Sequence, residues 1–341
     1  MAHFTLSKSK LLKQYKDLKE NVDVISYSAK TNYKAAPILE RNTDAQFSIH
    51  SERALKHIDK KGKIMFFPQG WTKKDIRRLT QKGVYTFILD NEPDIQTLLQ
   101  NITPGHDLNI LLRLRLKERS IRTGKHYVFG LYSETLNEYI PRLLQNKGIS
   151  QVGIHGHRKS QNVSEWRLLN TFTKALNQEY HDKIHLISIG GGIPVTYNNY
   201  TRDNTTYIKK QIQNLHDWTK QKDITLIAEP GRYIAAPPGK LHTTIKHKYN
   251  NNLILDCSVF NAAMDTFVLN TRLEVEQEVE ENKGKPYTLK GTTPDSLDIF
   301  RYKVRLDNPQ VGDTITFRNA TAYNYSSDFC DLPKLPTKII E

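Results

Sequence analysis

The 341-residue sequence predicts a (β/α)8 TIM-type barrel followed by a C-terminal β-barrel-like domain, divided between 1–235 and 236–341. Three observations carry this expectation. Short apolar runs alternate with amphipathic stretches through the first 230 residues, the pattern of a parallel barrel. After Arg232 the texture changes to short β-rich segments separated by turn signals. Chemistry-bearing motifs stand directly behind several strand-like runs, on the rim where barrel enzymes build their sites.

The strand-type runs lie at 24–27, 46–49, 63–67, 85–89, 108–114, 151–154, 184–189 and 224–228. Between them, 74–82, 93–99 and 133–144 show helical spacing of apolar residues. In the second half, 241–246, 252–255, 300–306 and 314–317 read as strands. Lys248-Tyr249-Asn250-Asn251-Asn252 reads as a loop, and no internal repeat is evident.

At 38% hydrophobic and 25% charged residues, the composition is that of a globular domain. No stretch approaches the roughly 18 apolar residues of a membrane span. Met1-Ala2-His3-Phe4 leads into a lysine-rich helical pattern rather than a secretory signal. Only Cys257 and Cys330 are present, so no disulfide framework is expected and a reducing cytoplasm suits the chain. The net charge of +14 is spread along the whole length, without a nucleic-acid-binding signature. Diffuse charge of this kind bears on solubility, and no nucleic-acid partner is expected.

Lys30 closes the first strand-like run, in Tyr27-Ser28-Ala29-Lys30-Thr31-Asn32. A lysine aimed inward needs a reason, because its ammonium is strongly hydrated. Ile189-Gly190-Gly191-Gly192-Ile193-Pro194 follows another strand, and glycine lets backbone N–H groups approach a phosphate closely. In Ala228-Glu229-Pro230-Gly231-Arg232-Tyr233, a strand ends on a carboxylate that is costly without a partner, and Arg232 is the partner near it in sequence. His155 and His157, in Gly153-Ile154-His155-Gly156-His157, share one strand face. They lack a third ligand at suitable spacing, so no metal is expected.

Together with Thr321-Ala322-Tyr323-Asn324-Tyr325, and in this order, these segments resemble the pyridoxal-phosphate (PLP) decarboxylases of the ornithine and diaminopimelate decarboxylase family, the alanine-racemase-like fold. The resemblance implies that Lys30 carries PLP as a Schiff base and that His157 stacks on its ring. It implies Glu229 at the pyridine nitrogen. It implies a phosphate site from Ser160, Gly190, Gly191, Gly192, Gly231, Arg232 and Tyr323. It further implies a homodimer with shared active sites.

The substrate side departs from the family pattern. Gly291-Thr292-Thr293-Pro294-Asp295-Ser296-Leu297-Asp298 has Pro294 where relatives carry a proton-donating cysteine, and proline has no such proton. Asp295 and Asp265 are the candidates for a distal substrate cation, with Phe329 beside them. Cys330 is the candidate replacement acid, or else a small buried hydrophobe. Ser48 and Ser188 stand where relatives have acidic residues, and Ala54 where they have a glutamate. The expected activity is decarboxylation of a basic or diamino acid. Racemisation on the same fold and a non-catalytic, partner-binding homologue are the alternatives.

Overall fold

The computed structural model describes residues 1–116, 128–324 and 327–341. The chain forms two compact units. One comprises Tyr15–Pro194 and Asn204–Gly231; the other comprises Met1–Gln14, Val195–Asp203 and Arg232–Glu341. A single cut near 235 is therefore corrected at two places. The chain start and 195–203 group with the β-rich half, because strand β1 (His3–Ser7) pairs there and Tyr197 enters that unit's core.

In the larger unit eight strands close a parallel barrel in chain order. They are β2 (Val24–Ser28), β3 (Gln46–Ile49), β4 (Ile64–Phe66), β5 (Thr86–Leu89), β6 (Leu108–Arg113), β7 (Ile149–His155), β8 (Leu186–Ser188) and β9 (Thr225–Ala228). β9 returns to β2 through Val24 opposite Ile227. Each expected run overlaps one of these strands. The helices between them have local causes. Thr72 and Asp75 form a reciprocal capping box at the start of Lys73–Gln81. The Asn91 side chain accepts from Asp94 N at the start of Glu92–Asn101, with Pro93 in the first turn.

Alternation along each strand sorts side chains between lumen and helix layer. Met65, Ile88, Leu111, Leu186 and Ile227 form an apolar cluster, with Val24 and Phe67 packed on it. Burial of each such side chain contributes about 1.5–3 kcal/mol, which pins the register. Two residues beyond Leu111, Leu186 and Ile227 the same parity reaches Arg113, Ser188 and Glu229, and His155 pairs level with Arg113 and Ser188. An apolar plug thus supports a polar layer at the C-terminal rim.

In the smaller unit β10 (Gly239–Tyr249), β11 (Asn252–Leu255), β12 (Lys285–Lys290), β13 (Ile299–Leu306), β14 (Thr314–Phe317) and β15 (Thr337–Ile340) join β1. The sheet runs β13-β12-β11-β10-β1-β15, and β14 also pairs with β10. Most pairs are antiparallel; β1 with β15 and β11 with β12 are parallel. Phe4, Leu241, Leu289, Phe300 and Phe317 lie in one core. Among the described residues no helix is long and apolar enough to cross a membrane.

Candidate active site

Glu229 lies just beyond the end of β9, 4% exposed. Such a carboxylate requires compensating donors. Ser188 Oγ donates to Oε1 at 2.5 Å and Ser48 Oγ to Oε2 at 2.9 Å. His155 Nε2 stands 3.1 Å from Oε1, off the line of a straight hydrogen bond. Burial alone would raise the pKa of Glu229; the His155 imidazole and the Ser188 hydroxyl outweigh it and bring it to about 2. The two positions where the resemblance implied acidic residues, Ser48 and Ser188, thus converge on this one carboxylate. A second carboxylate at either would repel it, whereas serine donates.

The loop after β8 is built from glycine for steric reasons. Gly190 and Gly192 have φ of 63° and 98°. A Cβ on Gly190 would collide with the Gly156 carbonyl oxygen, and one on Gly192 with that of Arg158. Gly190 O accepts from Glu229 N at 2.7 Å, which ties the loop to β9's end. Gly191 N donates to His157 Nδ1 at 3.2 Å, so His157 carries its proton on Nε2. Desolvation, then the charges of Arg113, His155 and Lys30, hold His157 well below the ordinary imidazole pKa and keep it neutral. Ser160 lies in the irregular segment after β7, half-buried. Gly231 abuts Thr31 and Ser28, where a side chain would clash.

Lys30 sits in a single helical turn, Ala29–Thr31, directly behind β2, and is exposed between buried Ala29 and Thr31. Its Nζ lies 3.5 Å from His50 Nε2. Sequence reasoning missed His50, although the period of two from Ser48 places it on the lumen side of the rim.

In the smaller unit Arg232 is 3% exposed. Its Nη1 donates to Asp265 Oδ2 at 2.6 Å and to Tyr197 Oη at 2.9 Å. The guanidinium also lies over the rings of Tyr323 (5.1 Å) and Tyr197 (5.5 Å). Burial would lower its pKa; Tyr197 and Asp265 outweigh this and raise it. Asp265, expected at a substrate cation, has its Oδ2 held by Arg232 and by Thr271 Oγ1 at 3.2 Å. Asp295 is exposed on a loop whose turn its own Oδ1 secures by accepting from Leu297 N. Phe329 is exposed and tilts against Phe260 at 5.5 Å. Cys330 is exposed at φ 61°, not a buried hydrophobe. Tyr325 of the last motif lies outside the described residues.

The barrel residues fit PLP. They present an accessible lysine amine, a buried carboxylate and a glycine loop that excludes side chains. Thr31 Oγ1 and His155 Nδ1 are buried polar atoms with no hydrogen-bond partner among the described residues, as expected beside a polar ligand. Fold and site together define a PLP-dependent barrel enzyme. Residues 8–236 match the sequence model described as "Pyridoxal-dependent decarboxylase, pyridoxal binding domain", and the chain belongs to that family of PLP-dependent amino-acid decarboxylases. It is 23% identical to diaminopimelate decarboxylase of Campylobacter jejuni, over 95% of this chain and 85% of that one. Diaminopimelate decarboxylase from Helicobacter pylori, solved with L-lysine, superposes with a TM-score of 0.85 at 19% identity, covering 100% of this chain and 92% of that one. Lysine/ornithine decarboxylase from Vibrio vulnificus, solved with putrescine, gives 0.82 at 18% identity, over 100% and 94%.

Proposed function

We propose that this enzyme removes the carboxyl group of an amino acid bearing a second, distal amino group, and that it works as a homodimer with shared active sites. The observation that carries the reading is the rim itself: an open Lys30 amine on the same barrel end as a carboxylate locked in its charged form. The relatives named above act on, or were solved with, diamino compounds.

Bound PLP supplies an electron sink for the pair left when carbon dioxide departs. Lys30 binds it through Nζ. Glu229 keeps the proton on the ring nitrogen, because Ser48 and Ser188 hold its oxygens fixed and charged. His157, neutral and pinned by Gly191 N, would cover the face of the ring. The backbone of Gly192 and Gly231, with Ser160, binds phosphate, while Gly190 N and Gly191 N hold Ser188 Oγ and His157 Nδ1 and so shape the loop beside it; Arg232 and Tyr323 are the proposed phosphate residues of the β-rich unit. Asp265 orients Arg232 rather than reading substrate. Asp295, with Phe329, reads the distal ammonium in the partner's site. The reading is tested by screening diamino acids for carbon dioxide release. Release from at least one of them, abolished in Lys30→Ala, is expected.

A further inference from the structure

His50 stands at the rim with its ring stacked on Phe67, centroids 4.5 Å apart and planes 6° from parallel. Phe67 in turn meets His155 edge-on at 5.5 Å and 77°. This stacking aims His50 Nε2 at Lys30 Nζ, 3.5 Å away. His50 and Lys30 are both accessible to solvent, whereas His155 is 1% exposed and His157 Nδ1 is engaged by Gly191. Loss of carbon dioxide leaves a bonding pair on carbon that must take up one proton per turnover. We propose that His50 is the proton carrier of this reaction, a catalytic residue acting beside Lys30 Nζ.

The step balances without a further reactant. His50 takes a proton from solvent and forms an N–H bond. That bond breaks as the proton reaches the carbon that lost carbon dioxide. The pair from the broken carbon–carbon bond becomes the new C–H bond, and neutral His50 is regenerated. The ring meets solvent at its edge while Phe67 covers one face; that desolvation, then the charges of Lys30, Arg113 and His155, with Glu229 opposing, hold its pKa at about 3, so the resting imidazole is neutral. Once Lys30 Nζ no longer carries an ammonium, one of these repulsions is gone and protonation becomes easier.

The role rests on the decarboxylase reading, and the tests separate the two. In cofactor-free protein, the NMR titration of His50 should show a depressed midpoint that rises in Lys30→Met; a midpoint indifferent to Lys30→Met overturns the coupling. In PLP-loaded protein, His50→Gln should bind PLP with an unchanged absorption spectrum yet release carbon dioxide on the order of 100-fold more slowly. Added imidazole should restore His50→Ala. Wild-type rates in both variants, or a loss that imidazole does not restore, overturn the role. If the wild-type enzyme releases no carbon dioxide from any diamino acid, the decarboxylase reading fails, and this role with it.

Discussion

Glu229 is the residue whose charge the fold works hardest to keep. Its pKa falls from 4.5 to about 2, so it stabilises the native state above about pH 4.5 and loses that contribution as pH falls through about 2. The amount is on the order of 3 kcal/mol. Urea unfolding of wild type and Glu229→Gln between pH 5 and pH 2 should converge by roughly that much; parallel curves would show that Glu229 is not held charged. In turnover, Glu229→Gln should keep PLP and slow carbon dioxide release on the order of 100-fold. Lys30→Ala should yield no borohydride-fixed link to the cofactor, read by mass spectrometry of the peptide spanning residue 30. Lys30 and Glu229 were legible because each ends an apolar run, where a charge demands explanation. His50 was not, because attention in Phe47-Ser48-Ile49-His50-Ser51 rested on Ser48, and only the paired alternation of both residues exposes it. Nor could the sequence show that Ser48 and Ser188 serve one carboxylate, since they meet across non-adjacent strands.

Elements obey the same logic at larger reach. The glycine loop after β8 is confined by backbone on two sides, so Gly192→Ala adds left-handed strain of about 1–2 kcal/mol and displaces Arg158. A lower melting temperature and weaker PLP affinity are expected; an unchanged melt would show that the cradle is slack. The Arg232–Asp265 pair is 2% and 1% exposed at its side chains. Asp265→Ala strands a buried cation and should cost about 3–5 kcal/mol by chemical denaturation. If Asp265 instead stood free for substrate, stability would scarcely change while KM rose. Barrel strands were readable because their buried faces leave apolar runs. β1, β12 and β15 escaped for opposite reasons. β12 contains Pro286 and begins on two exposed residues, and three of the four residues of β15 are exposed. β1 is held by partners at the far end of the chain, through β10 and β15, and no local period reports such pairing.

For the whole molecule, fold class and cofactor could be read from the order of motifs, while the division into units could not. Three separate stretches build the β-rich unit, and only their pairing reveals it. Assembly gives its own prediction. If Asp295 serves the partner's Lys30, mixing inactive Lys30→Ala and Asp295→Ala proteins under proven subunit exchange should restore part of the activity. No rescue would count against shared sites. The central claim, decarboxylation of a diamino acid through Lys30, is tested most directly with carboxyl-labelled lysine, ornithine and diaminopimelate and the PLP-loaded enzyme. Label should leave as carbon dioxide from at least one of these substrates, and Lys30→Ala should release none. Inversion of configuration with the carboxyl group retained, or equal release by Lys30→Ala, would contradict it.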